Sequence, residues 1–464
     1  MSPAVVSSTT AAVLSGPRTI QLEDRRVWAP PRGEVQVRVQ ATGLCGSDLH
    51  YYIHARNGDF AVRAPLVLGH ESAGIVVDLP PGAPDTLKIG QRVAIEAGIY
   101  CRSCSFCQSG RYNLCRQMKF CSSAARFPHV DGTLQTVMNH PAYVLHPLPD
   151  SVSFELAALA EPLSVLIHSS RRAHLSPNQN IIVFGVGAIG LLACALAKHR
   201  GAARVVAVDI NPARLEFAKR EGFADDVFCL PQPQSSSQQP QSLPEACCAP
   251  PKANGVSASS HKHTHAHAST PSTPREMADE QLKKAKESAA AVMSAFGSPD
   301  GYDVVFECTG AESVIQMSIF CAMTGGKVML IGMGTRAAYL PLSTAALREV
   351  DILGSFRYAD TYREALALLS TPSPTPSSSS SSSSASSPSS ASSSESEAQV
   401  ESEANSKTGR SPSPSIPLPV LAAKLVTHRF PLADTKRAFE MLAKGVDDEG
   451  GLVLKVMVGS GVPC

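Results

Sequence analysis

The sequence predicts an α/β protein made of a β-rich first domain and a doubly wound parallel sheet, interrupted by two disordered low-complexity insertions. Three observations carry this. Six short β-branched runs, "NIIVFG" from Asn180, "RVVAVD" from Arg204, "DDVFCL" from Asp225, "DVVFEC" from Asp303, "GKVMLIG" from Gly326 and "EVDILGSF" from Glu349, are almost continuously apolar, and helical segments such as "IGLLACALAKHRG" and "PARLEFAKREG" lie between them. Strands buried on both faces read this way. Residues 10–150 hold short strands, many Gly and Pro and few long helical patterns, which predicts a separate β-rich domain. The tracts from Pro231 to about Arg275 and from Thr371 to 415 contain too few apolar residues to offset chain entropy, so both are expected to be disordered. Closing a longer surface loop costs only about 0.6 kcal/mol per doubling of length, so each tract interrupts a domain without dividing it.

The resulting division is 1–160, 161–356 with its insertion at 231–275, and 357–464 with its insertion at 371–415. The 464 residues, 43% of them hydrophobic, are enough for such cores. A formal charge of +1 provides no field for nucleic acid or anionic lipid, and no apolar run approaches the roughly 20 residues of a membrane span. The start lacks a basic stretch followed by an apolar one, so a cytoplasmic protein with reduced thiols is expected, its 13 cysteines serving metal rather than disulfides.

"VFGVGAIG" sets Gly185, Gly187 and Gly190 in a GxGxxG pattern directly after a strand and at the start of an apolar helix. The following strand ends in Asp209, placed as a ribose-binding carboxylate should be, and its charge would repel a 2′-phosphate, so NAD is expected. Arg214 reads either as a lid over the adenine or as a solvated helix charge. The expected cofactor contacts also include Ile189, Ile331, Gly332, Met333, Ser355, Phe356 and Arg357.

"CRSCSFCQSGRYNLC" spaces Cys101, Cys104, Cys107 and Cys115 as CxxCxxCx7C, a turning loop around a closed, structural zinc. A catalytic zinc needs an open position. Cys45, held between Gly43 and Gly46, together with His70 and Glu71 of "GHE", supplies a thiolate, an imidazole and a carboxylate. Glu161 of "AEPLSV" adds a further carboxylate, and Ser47 can reach an alcohol oxygen at the metal.

These motifs, with "GLCGSDLHYY", "PLVLGHESAG", "GRYNLC", "EPLSV", "VVFECTGAE", "REVDILGSFRY" and "LVTHRFPL", resemble the zinc-dependent medium-chain dehydrogenases and, within them, the sorbitol (polyol) and xylitol dehydrogenase branch with its fungal relatives. The resemblance runs from Gly43 to Leu432 outside the insertions. It implies a GroES-like catalytic domain, a Rossmann domain, return of the C-terminal segment to the first domain, and a homotetramer. It further implies that Cys45, His70 and Glu71 hold the catalytic zinc, with a water contacting Glu161, and that Tyr51, Arg357 and Tyr358 meet substrate hydroxyls. Arg357 as an ion-pair partner at the domain junction is the alternative.

The expected reaction is zinc-assisted oxidation of a secondary hydroxyl, sorbitol to fructose or xylitol to xylulose, with hydride passing to NAD. The proton leaves either through Ser47, a ribose hydroxyl and His50, or through water to Glu161. L-arabinitol oxidation is an alternative activity, and a nucleotide-binding protein without turnover is an alternative class. The alternating His261, His263, His265 and His267 read as a polar tract with adventitious metal affinity.

Overall fold

A computed structural model describes residues 5–80, 82, 85–231, 273–370 and 416–459. The expectation of disorder falls on tracts whose bodies lie outside the described residues. All six apolar runs are strands of one parallel sheet, ordered Asp226–Cys229, Arg204–Asp209, Asn180–Phe184, Tyr302–Glu307, Ala322–Leu330, Asp351–Gly354. Numbered along the chain, that order is third, second, first, fourth, fifth, sixth, so a crevice opens beyond the carboxyl ends of the first and fourth strands.

The continuous apolar runs follow from burial on two faces. Ile181 and Val183 enter one core cluster with the helices Ala188–His199, Tyr362–Leu369 and Leu418–Leu425. Ile182 and Phe184 point the other way, into a cluster with Ala285, Ala289, Val292, Met317 and Ile319 of the helices Pro274–Ala295 and Glu312–Cys321. Side chains alternate along a strand, so neither face can be polar.

Two boundaries differ from the sequence reading. The strand containing "GKVMLIG" starts at Ala322, because Ala322 pairs with Tyr302 before a register shift, with the chain kinked at Gly325 (φ 74°). The first insertion ends earlier than residue 275: Thr273 caps the helix Pro274–Ala295, its hydroxyl accepting from Glu276 N–H while the Glu276 carboxylate accepts from Thr273 N–H. A Thr-Pro-x-Glu start of this kind is a capping box with proline at the first helical position.

In the first part of the chain, strands Leu145–Pro147, Arg92–Ile95, Glu71–Asp78 and Glu34–Gly43 pair in that order, and Lys455–Gly459 and Val426–Pro431 extend the same sheet. The C-terminal segment thus returns to the first sheet, with Met457 opposite Gly43. Ala73 and Ala94 of this sheet share the core cluster that holds Ile181 and Val183, so apolar packing runs unbroken through the junction where the candidate site lies.

Candidate active site

Cys45 is the N-cap of the helix Gly46–His54. Asp48, at the third helical position, reaches back to Cys45 N–H at 3.3 Å, which fixes the cysteine at the helix mouth. Asp48 is fully buried and also accepts from Gly69 N–H, from His70 Nδ1 at 3.2 Å and from Ser122 Oγ. Burial works to raise its pKa, but His70 and these donors together hold it below the ordinary carboxylate value. A carboxylate on Nδ1 orients the imidazole and makes Nε2 a better metal donor. Ser47 Oγ lies 3.4 Å from that Nε2.

Glu71 begins its strand directly opposite Gly43, and a Cβ at Gly43 would stand 2.6 Å from Glu71 Oε2. Any side chain there would push the carboxylate from its present position. The structure brings Cys45 Sγ, a His70 ring nitrogen and a Glu71 oxygen within 4.8 Å of one another and leaves Glu161 outside this group. Bonds of about 2.0–2.3 Å to a central zinc suit such a spacing. Glu161, near the start of the helix Ala160–Arg172, is buried; burial pushes its pKa up to about 7 against the pull of His70, and the Glu71 charge adds to the rise.

The second group is local. Cys101, Cys104, Cys107 and Cys115 are also mutually within 4.8 Å, with Sγ–Sγ separations of 3.5 Å for Cys104–Cys107 and 3.8 Å for Cys101–Cys107. Backbone N–H groups of Cys104 and Cys101 donate to Cys101 Sγ and Cys115 Sγ. Hydrogen bonds led by Ser103 lower the Cys101 pKa to about 6, whereas burial and the neighbouring sulfurs raise Cys107 to about 12. Thiols competing for one charge in this way are stabilised as thiolates by a divalent cation.

The glycine-rich turn has the shape needed for a dinucleotide. Gly185 has φ 84° and a Cβ there would stand 2.5 Å from Thr309 Cγ2; a Cβ at Gly190 would stand 1.8 Å from Gly185 O, while nothing lies within 4 Å of one at Gly187. The first and third glycines are therefore packing requirements, and the second leaves open space at a helix N-terminus suited to a pyrophosphate. Ile189 lies in the first turn of that helix. Asp209 accepts from Val186 N–H at 2.7 Å and Asn211 N–H at 2.9 Å, which pins its carboxylate beside the turn with lone pairs to spare for ribose hydroxyls. Arg214 Nε and Ser355 Oγ are buried without a hydrogen-bond partner among the described residues. On the far side of the crevice, Ile331 and Gly332 N–H both donate to Glu307 O, Gly332 and Gly334 press against the Gly310 backbone, and Met333 is exposed.

Arg357, in a left-handed conformation at φ 50°, holds its guanidinium 3.8 Å from the Phe120 ring centroid and 4.8 Å from that of Phe356. The Phe120 ring is 5.5 Å from His70, so Arg357 stands one aromatic ring away from the metal group. Tyr358 is buried beside Glu161 and Tyr362, and the Tyr51 hydroxyl accepts from Ala124 N–H at 3.1 Å. His50 is exposed, its ring 6.2 Å from His54, and no hydrogen bond joins it to Ser47 among the described residues.

Comparison with known proteins agrees with this geometry. Residues 31–150 match the alcohol dehydrogenase GroES-like domain, and residues 188–239 and 275–371 match the zinc-binding dehydrogenase domain. The chain is 36% identical to chicken (Gallus gallus) sorbitol dehydrogenase over 368 residues, covering 79% of this chain and 87% of that protein. It is 36% identical to "probable D-xylulose reductase A" of Arthroderma otae, covering 77% and 86%. The chain belongs to the zinc-binding dehydrogenases, in the sorbitol dehydrogenase branch. The fold alone is shared with L-idonate 5-dehydrogenase of Escherichia coli, at 23% identity and a TM-score of 0.68 over 98% of each chain.

As a member of this branch the chain is a zinc- and NAD-dependent oxidoreductase, and both cofactors fit the residues just described: three convergent donors of suitable chemistry for one, an open glycine turn and unpartnered buried atoms for the other. Several neighbours of this dehydrogenase site escaped the sequence reading. Lys455 Nζ lies 2.6 and 2.9 Å from the two oxygens of Glu71 and 3.1 Å from Leu44 O, buried on the returning strand. A lone lysine in "LVLKVMV" was the available signal, since such a run leaves the cation no route to water. Asp48 could have been found from the C-G-S-D spacing of a capping box, whereas Phe120 carries no local mark.

Proposed function

We propose that the enzyme oxidises a secondary hydroxyl of a sugar alcohol, sorbitol to fructose or xylitol to xylulose. The observation that carries this reading is the convergence of the half-buried Arg357 with the buried Tyr358 and Glu161 near the Cys45, His70 and Glu71 group: a polar wall that an apolar alcohol would leave unpaired. Zinc supplies a Lewis acid for the reacting oxygen, and NAD accepts the hydride. Cys45, His70 and Glu71 hold the zinc, and Gly185, Gly187, Gly190 and Asp209 hold the NAD.

The chain's own groups then divide the work. Asp48 keeps His70 Nε2 aimed at the group, and Lys455 keeps the Glu71 carboxylate from turning away. Arg357 offers a fork of donors to neighbouring hydroxyls, which selects chain length and configuration. Glu161, whose burial raises its pKa, is placed to exchange a proton beside the group. The division at about residues 160 and 356, a cytoplasmic location and an assembly of four copies complete the reading; light scattering tests the last.

A site built to bind hydroxyls rejects a substrate lacking them by roughly 10⁴ or more in kcat/KM. Side-by-side kcat/KM values for sorbitol, xylitol, L-arabinitol and ethanol at fixed NAD test the proposal. A polyol should lead by that margin, and ethanol or a long-chain primary alcohol as best substrate would overturn it.

A further inference from the structure

The four-cysteine lobe touches the turn around Arg357 directly. Asn113 Nδ2 donates to Phe356 O at 2.9 Å, and its second neighbour is His168 Nε2 at 3.5 Å. Tyr112 OH accepts from Asp360 N–H at 2.8 Å and donates to Glu96 Oε1 at 2.8 Å. These two bonds grip both ends of a turn whose interior is Arg357, Tyr358 and Ala359. The turn needs gripping, because Arg357 and Asp360 both adopt left-handed backbone conformations, at φ 50° and 53°, that residues with a Cβ rarely take.

The grip is anchored at its other end. Tyr112 and Asn113 form the short turn Tyr112–Leu114 that runs into Cys115, whose N–H donates to Tyr112 O. The Tyr112 ring stacks on Tyr100, beside Cys101, with centroids 4.1 Å apart. Glu96, which receives the Tyr112 hydroxyl, is buried and also bound by His146 Nε2 at 2.7 Å. A rigid path therefore runs from the cysteine lobe to the backbone on either side of Arg357.

We propose that Tyr112 and Asn113 are positioning residues for polyol recognition, through which the cysteine lobe sets the placement of Arg357. The inference rests on the reading that Arg357 meets the substrate. It gives the closed lobe a part in specificity that four protein donors, leaving no place for substrate, would not suggest.

A double-mutant cycle tests it in the full-length zinc-loaded enzyme. Asn113→Asp keeps the shape and removes the donor to Phe356 O; it should lower kcat/KM for xylitol and sorbitol by roughly 10- to 100-fold, chiefly through KM, as expected for a substrate-binding group displaced by about 1 Å. NADH binding, read by fluorescence titration, and zinc content should stay as in the unmodified enzyme. Combined with Arg357→Ala, Asn113→Asp should cost nothing further, since it acts through the side chain already removed.

Losses that add in full in the double variant, or an equal loss of NADH affinity, would overturn the proposal while leaving Arg357 as a substrate contact. Unchanged polyol kinetics in Arg357→Ala alone would instead overturn the substrate reading, and the proposal with it. Where Asn113→Asp does not fold, Tyr112→Phe supplies the same cycle, because it keeps the ring on Tyr100 and removes only the hydroxyl that holds Asp360 N–H. Loss of fold in both variants would assign these residues to stability and overturn the proposal as well.

Discussion

Two groups of metal donors sit in the same half of this dehydrogenase, and they are built on opposite plans. The cysteine lobe takes all four donors from residues 101–115, a stretch that folds back on itself through Arg102 and Gly110 in left-handed conformations. The group at Cys45 takes its donors from a helix N-cap and a strand start, and its supports from Asp48 and Lys455, which lie near opposite ends of the chain. A closed local cage contributes folding energy and leaves no position for chemistry; an open group needs long-range support to hold fewer donors in place. The difference teaches that a donor's partners, more than its identity, decide whether a thiolate site is structural or reactive.

The sharpest way to break this comparison is to remove one cysteine from each group. Cys45→Ser should lower kcat for a polyol by roughly 10³-fold or more, since a Lewis acid is worth several kcal/mol. Its melting temperature should stay near that of the unmodified enzyme. Cys104→Ser should do the reverse to stability, losing several kcal/mol because metal binding in a closed site is folding free energy. Thermal melts and steady-state kinetics on both variants check the pair.

Lys455→Met sharpens the open side. It leaves the Glu71 carboxylate buried without its cation, a change of the kind that costs about 3–5 kcal/mol. Enzyme stripped only of the zinc at the Cys45 group should show that loss in denaturant unfolding, and restoring that zinc should recover part of it by neutralising the same carboxylate.

Legibility followed the same division. The cysteine lobe was complete in the sequence because its geometry is local, and the parallel strands were legible because burial on both faces erases polar residues from them. The grouping of Cys45, His70 and Glu71 was legible through their spacing and family resemblance. Lys455 and Phe120 were not, since each acquires its role only when a strand from the end of the chain, or the short strand Lys119–Phe120 after the lobe, is brought against the metal group. Likewise nothing in "RYN" announces that Tyr112 and Asn113 reach residues 356–360, more than 240 positions away, until the two halves meet.

Smaller effects come from outside the metal groups. Asp209→Ser removes the carboxylate pinned beside Gly185, and should erode the preference for NAD over NADP by roughly 10- to 100-fold in kcat/KM, by relieving repulsion of the 2′-phosphate. Comparable values for both cofactors in the unmodified enzyme would defeat that account.

The smallest effect concerns acid. His140 is fully buried, its Nε2 bound to Glu96 O at 2.9 Å and its Nδ1 without a partner among the described residues, and burial lowers its pKa to about 4. The unfolded chain takes up this proton below about pH 6.5 while the folded one resists until about pH 4, so the contribution is full above 6.5 and lost as pH falls. By pH 5 the loss should be about 2 kcal/mol. Unfolding curves of His140→Asn, which keeps a donor toward Glu96 O, should depend less steeply on pH over that window.

The most direct test of two differently built groups is zinc content followed during chelation. Elemental analysis of carefully prepared enzyme should find two zinc ions per chain, and a mild chelator should remove one first, with turnover lost and the melting temperature nearly kept, before the second leaves with the fold. One zinc or none at the start, or both ions leaving together with activity and fold, would contradict the distinction between an open reactive site and a closed structural one.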